Sequence, residues 1–169
     1  MLKQTDIQKT LSAFKPESIV FVISVDQNDK PSGMVAAWKT RVSSNPALYA
    51  VSLSKKHNTH KLIQQSKEFV IAVPNESLEK ELLFFGSTKG NEVDKFKETS
   101  LETVPSKHLK TPLIKEATFN LECKLVNTID VNDHFLFIGE VIAAHHNKDK
   151  KVLLSMGKDK KGKRVFKEF

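Results

Sequence analysis

The 169-residue chain predicts a mainly β fold, an antiparallel barrel with peripheral helices, and three observations carry that prediction. The first strand-like segments follow one another with only turns between them, which is a meander and not a βαβ unit. Residues 117–125 alternate strictly: Ala117, Phe119, Leu121, Cys123 and Leu125 are apolar, while Thr118, Asn120, Glu122 and Lys124 are polar. That is the period of a strand with one apolar and one polar face. Five or six such strands, with helices inserted between them, are accommodated by closure into a barrel, which leaves no exposed edge.

Each element follows from local chemistry. Thr5, Asp6 and Gln8 form the cap of a short helix that ends near Phe14, where Lys15-Pro16 stops it. Residues 19–25 (IVFVISV) are β-branched and aromatic and predict a buried strand. Residues 26–31 hold Asp, Asn and Pro and make a turn. A second strand is expected over 32–40 and a third over 47–53, separated by Asn45-Pro46. Asn58 caps a helix over 59–66, and 68–73 is a strand closed by Pro74-Asn75. Residues 76–85 place Leu78, Leu82, Leu83 and Phe85 on one side of a helix. A further helical turn is expected over 91–96 and an irregular stretch over 99–111. After the alternating strand, 128–133 is read as a turn and 135–144 as a central strand apolar on both faces. Residues 151–156 form a last strand or helix.

Composition excludes several classes. With 39% hydrophobic and 28% charged residues the chain has the balance of an ordinary globular protein. The apolar runs are far shorter than the roughly 20 residues of a membrane helix. The N-terminus lacks an apolar signal core, and a lone cysteine, Cys123, cannot form an intrachain disulfide; a cytoplasmic location is expected. The net charge of +7 is concentrated at one end, since residues 148–169 carry nine Lys+Arg against three Asp+Glu. We read this as a solvated basic tail, about 148–169, on a single domain whose core spans about 18–146. No aromatics interleave with these lysines before Phe166, so a base-stacking surface is not expected. His57 with His60, and His145 with His146, lack a third ligand at usable spacing, so no metal is expected. Cys123 falls on the apolar face of its strand and is read as inert packing. No Walker loop or Gly-x-Gly-x-x-Gly occurs.

An ordered series of short pieces carries a family resemblance. It begins at Ser32-Gly33-Met34-Val35-Ala36-Ala37-Trp38-Lys39-Thr40-Arg41-Val42-Ser43-Ser44-Asn45-Pro46 and continues through Val51-Ser52-Leu53-Ser54 and Asn58-Thr59-His60-Lys61-Leu62-Ile63. It resumes at Lys67-Glu68-Phe69-Val70, Val93-Asp94-Lys95-Phe96, Pro112-Leu113-Ile114-Lys115-Glu116-Ala117 and Leu121-Glu122-Cys123-Lys124, and closes at Asp133-His134-Phe135-Leu136-Phe137-Ile138-Gly139-Glu140-Val141. In this series the chain resembles the flavin-reductase-like family, the FMN-binding split barrels. The resemblance implies an antiparallel split β-barrel, FMN as cofactor and a homodimer. It implies that Met34, Ala36, Ala37, Trp38 and Thr40 line the isoalloxazine and ribityl region, with Ser43 in the turn beside it. Ser52, Leu53, Ser54, Lys55 and Thr59 would surround the ribityl-phosphate end, and Lys95 would reach the same site. The Lys55-Lys56-His57 run departs from the family, which more often has one arginine or lysine there, and leaves the individual phosphate ligand open.

The residue types suit the cofactor's chemistry. A phosphate needs amide and hydroxyl donors and positive charge, which Ser54, Lys55, Lys56 and Thr59 supply, with Thr59 opening a helix. Small residues such as Ala36 and Ala37 let main-chain amides approach a flat ring. Lys39 or Lys95 would favour negative charge on a reduced ring. Trp38, the only tryptophan, is by itself an ordinary core or interface residue; the resemblance puts it beside the ring. His134 is the catalytic candidate, near nicotinamide or the ring edge, with a structural hydrogen bond at the strand start as the alternative. The expected function is flavin reduction by NADH or NADPH. The alternative is an electron carrier that holds FMN tightly. The electron acceptor is left open.

Overall fold

In the computed structural model, which describes residues 2–169, the chain runs α1 (Ile7–Ser12), β1 (Glu17–Ser18), β2 (Val20–Val25), β3 (Pro31–Ala36), β4 (Lys39–Ser44), β5 (Ala47–Ser54), α2 (Thr59–Ser66) and β6 (Glu68–Val73). A 3-10 turn leads into α3 (Glu79–Ser87), followed by α4 (Lys95–Thr99), β7 (Thr103–Val104), β8 (Leu113–Ile114), β9 (Phe119–Val131), β10 (His134–His146), β11 (Leu153–Lys158) and β12 (Arg164–Glu168). Seven strands form one antiparallel sheet in the order β3-β2-β6-β9-β10-β5-β4. Its two edge strands, β3 and β4, are neighbours in sequence, joined only by Ala37 and Trp38. A sheet whose opposite edges are tied by two residues must curl, and this one curls into a split barrel. The fold is mainly β with helices at its periphery.

Two hydrophobic cores explain why β2 and β6 are apolar on both faces. Val20, Val22, Phe69 and Ile71 point into the barrel with Met34, Val51, Leu53, Cys123 and Phe137, and Ile63 of α2 closes that core. Phe21, Ile23, Val70 and Ala72 point outward into a second core with Leu82 and Phe85 of α3, Ile114 and Leu153. Each face of the two strands is covered, so alternation disappears there. Gly139 on β10 is dictated by this packing: a Cβ there would stand 2.6 Å from the Phe69 ring and 2.9 Å from Cys123 Cβ.

Several expectations need correction. The strand expected over 32–40 breaks at Ala37–Trp38, where the chain crosses from the flank of β2 to that of β5. The turn expected over 128–133 is strand as far as Val131. Ile129 pairs with Leu136 and Val131 with His134, and only Asn132, at φ 69°, and Asp133 turn the chain. The helix expected over 91–96 is Lys95–Thr99, because Asp94 caps it by accepting the Lys97 amide at 3.2 Å.

The polar face of the alternating stretch is buried as far as Glu122, and only from Lys124 onward does it meet solvent. Thr118, Asn120 and Glu122 are all buried. Asn120 clamps Ile114 through both its amide and its carbonyl, each at 3.0 Å. Glu122 accepts the amides of Lys107 and His108 and bonds the His145 ring, all at 2.8 Å. These side chains hold down the irregular stretch before β8, whose own backbone has few partners.

The basic segment is not a solvated tail. β11 pairs with both β1 and β12 in a three-stranded sheet, and Phe166 packs against the outer core. Val152 and Phe169 exchange two main-chain hydrogen bonds. Leu153 is 1% exposed. The lysines lie on the outer side of a docked hairpin. Among the described residues no helix is long and apolar enough to cross a membrane.

Candidate functional site

A polar cleft opens between the N-terminus of α2, the start of β3 and the segment from α3 to α4. Its innermost part is lined by Gly33, Met34, Lys56 to Thr59, Lys89 to Asn91 and Lys95, and it continues into a wider recess of about 320 Å³ reaching Asp94 and Lys30. Lys95 is the notable group. Its side chain is buried, and its ammonium donates to the carbonyls of Gly33 at 3.1 Å and Phe85 at 2.8 Å. Among the described residues no carboxylate pairs with it. Burial lowers its pKa to about 8. An ammonium has three donors, so two carbonyls leave one to spare.

The opposite wall is the first turn of α2. Thr59 is 3% exposed, and Asn58 makes no side-chain capping bond, so the first amides of the helix have no side-chain acceptor at the Ncap. Burial lowers the pKa of His57, with the nearby Lys95, His134 and His60 adding in the same direction. His60 bonds the Lys55 carbonyl through Nε2 at 3.1 Å, and its Nδ1 is buried without a partner.

From this cleft a second group of residues runs along the outer face of the barrel. Phe135 packs against the barrel core and Phe137 is buried within it, so by alternation His134 and Leu136 face outward. His134 pairs with Ser54, and Leu136 with Ser52. The Ser52 amide donates to the Trp38 carbonyl at 2.9 Å. The Trp38 and His134 rings lie 4.8 Å apart at 32°, although Trp38 is 62% exposed. His134 Nδ1 bonds Asp133 Oδ1 at 2.8 Å, which holds the Asp133 carboxyl below its ordinary range.

The structure therefore brings Met34, Thr59 and Lys95 together at the cleft, and Trp38, Ser52, Ser54 and His134 along one adjoining surface. The other expected residues are placed differently. Leu53 and Ala36, like Met34, turn their side chains into the barrel core, which leaves chiefly their main chain for a ligand. Ala37 packs toward the outer core. Thr40 is exposed on β4 and spends its hydroxyl on the Arg41 carbonyl; Ser43 follows at a bulge. Lys55 pairs with Asp130 at 2.6 Å and lies over the Phe135 ring at 4.7 Å, so its charge is largely matched. Sequence reasoning did not single out Lys89, Gly90 and Asn91. Their only signal was a lysine and a glycine in the loop after a helix.

The comparisons agree with this architecture. The flavin reductase like domain matches residues 15–162. An uncharacterised protein of Archaeoglobus fulgidus is 39% identical over 118 residues, covering 70% of this chain and 67% of its own length. Among solved structures, a flavoredoxin from Methanosarcina acetivorans superposes with TM-score 0.83 at 25% identity, covering all of this chain and 91% of the other. An NADH:FAD oxidoreductase of Streptomyces globisporus, also solved with NAD and FAD fragments, gives TM-score 0.84 at 25% identity, covering 100% and 98%.

Proposed function

The chain belongs to the flavin reductase like domain family, and on that premise we propose that it is an FMN-binding oxidoreductase whose flavin is reduced by NADH or NADPH. The observation that carries this reading is Lys95: a buried ammonium with no carboxylate partner, facing a helix start that lacks a side-chain cap. A phosphate supplies the charge that this arrangement lacks. Thr59 and Lys95 with Lys56 are the residues we assign to the phosphate end, and the main chain of Met34 is assigned to the isoalloxazine and ribityl region. Trp38 and the Ser52–Ser54 main chain, including that of Leu53, are assigned to the ring, with Ala36, Ala37, Thr40 and Ser43 flanking it. Lys55 acts through Asp130 on the shape of the loop.

When bound, the flavin supplies the two-electron chemistry, and the chain binds and orients it. His134, bonded to Asp133 and tilted against the Trp38 ring, is the group we assign to hold a proton or a nicotinamide at the edge of the ring. The whole chain is read as one domain acting in the cytoplasm as a homodimer. The exposed Trp38, Ile129 and Val131 give the outer sheet face an apolar surface suited to a second copy. A second reading, a carrier that keeps its FMN and is reduced by another protein, is supported by the similarity to a flavoredoxin.

One experiment separates the two. The anaerobic absorbance spectrum of the FMN-loaded protein is recorded before and after NADH or NADPH. Bleaching of the flavin band within seconds supports the reductase. A band unchanged by both nucleotides over minutes leaves the carrier.

A further inference from the structure

On the side of β3 away from the barrel interior, a cavity of about 420 Å³ opens between β3, α3 and the C-terminal hairpin. Its floor is apolar, built from Ile19, Val35, Leu82 and Phe166. Its rim carries Lys158 and Arg164. These two residues are direct cross-strand partners in the hairpin. Like charges placed opposite each other on a sheet are destabilising, and among the described residues neither makes an ion pair. The one carboxylate at the rim, Glu17, is paired with Lys15. The mouth therefore presents two unmatched cations over an apolar floor.

We propose that this cavity binds a small organic monoanion with a flat apolar body, an arylcarboxylate in chemical class, whose charge is met by Lys158 and Arg164. The size falls in the range of small-molecule pockets. A planar guanidinium matches a carboxylate through two parallel hydrogen bonds, and Phe166 offers a ring to the body of the ligand. A nucleotide is a poor fit, because the lining has little to bond its sugar and base. The Ser87 hydroxyl at the wall is already spent on the Leu83 and Phe84 carbonyls. The proposal does not depend on the flavin reading.

The test is amide-resolved NMR of the full-length protein as purified, titrated with 2-naphthoate, with neutral 2-naphthalenemethanol as control. The expected result is saturable shifts confined to amides around Val35, Gly86, Ser87 and the hairpin, with the alcohol binding at least about tenfold more weakly. Replacing Lys158 and Arg164 by alanine together should weaken naphthoate by about tenfold or more. Gly86→Leu fills the cavity from a helix that is exposed there and should abolish binding without touching the hairpin. Equal affinity for acid and alcohol, shifts located elsewhere, or displacement of naphthoate by added FMN or NADH would each overturn the proposal.

Discussion

The ammonium of Lys95 donates to the carbonyl of Gly33 at 3.1 Å across 62 residues of sequence, tying the start of α4 to β3 at the inner end of the cleft. That bond orients the cation without neutralising it. Burial lowers its pKa to about 8, so in the free protein it is charged below that pH and loses its proton above it. A bound phosphate favours the charged form and raises the pKa in the complex. Between about pH 7 and 9 the affinity for FMN should thus be highest at the lower end and fall as the pH rises through about 8, by at most about tenfold per unit. Fluorescence titrations of FMN between about pH 7 and 9 check this, with riboflavin showing no such fall. Lys95→Met should weaken FMN by roughly 10- to 100-fold and flatten the profile.

The Trp38–His134 contact yields a separable expectation. His134→Ala should slow flavin reduction by NADH or NADPH by about 10²-fold while leaving FMN affinity within a few-fold. Stopped-flow reduction and FMN titration of the same preparation decide this. Equal losses in both would make His134 a structural residue only.

Glu122 is a stability group. Burial pushes its pKa up, but the Lys107 amide, the His145 ring and the His108 amide outweigh that, and the net shift is downward. A carboxylate depressed in the folded state stabilises the protein above its unfolded pKa, and that stability is lost as pH falls through the folded value. Glu122→Gln should cost at least about 2 kcal/mol at neutral pH and blunt the loss of stability on acidification. Urea unfolding at neutral and acid pH measures both.

The hairpin gives the sharpest reversal of expectation. A basic tail would be dispensable, whereas a docked hairpin is not. Phe166→Ala should cost about 2 kcal/mol, lowering the thermal midpoint by roughly 4–8 °C, and deletion of residues 158–169 should cost more. An unchanged midpoint after deletion would show that the hairpin contributes nothing to the fold.

These outcomes also mark what the sequence made legible. The barrel strands were readable because their β-branched runs and alternation are local signals. The residues of β9 misled, since Glu122 and Asn120 look solvent-facing by period yet are buried by a distant loop they hold. Phe166 and Leu153 were hidden by the lysines between them, because charge density masks two short strands, of which β11 pairs with the distant β1 and β12 pairs only with β11. At the cleft, Thr59 and Lys95 were named through the resemblance, and the structure brings them together there. The Lys89–Asn91 loop was not, since nothing local distinguishes it from any turn.

The central claim is that the cleft between α2 and Lys95 holds the phosphate of FMN. Parallel isothermal titrations of flavin-free protein with FMN and with riboflavin test it most directly. The expected result is FMN binding at micromolar or tighter dissociation constants, at least about tenfold tighter than riboflavin. Absence of FMN binding, or equal affinity for the two, would contradict it.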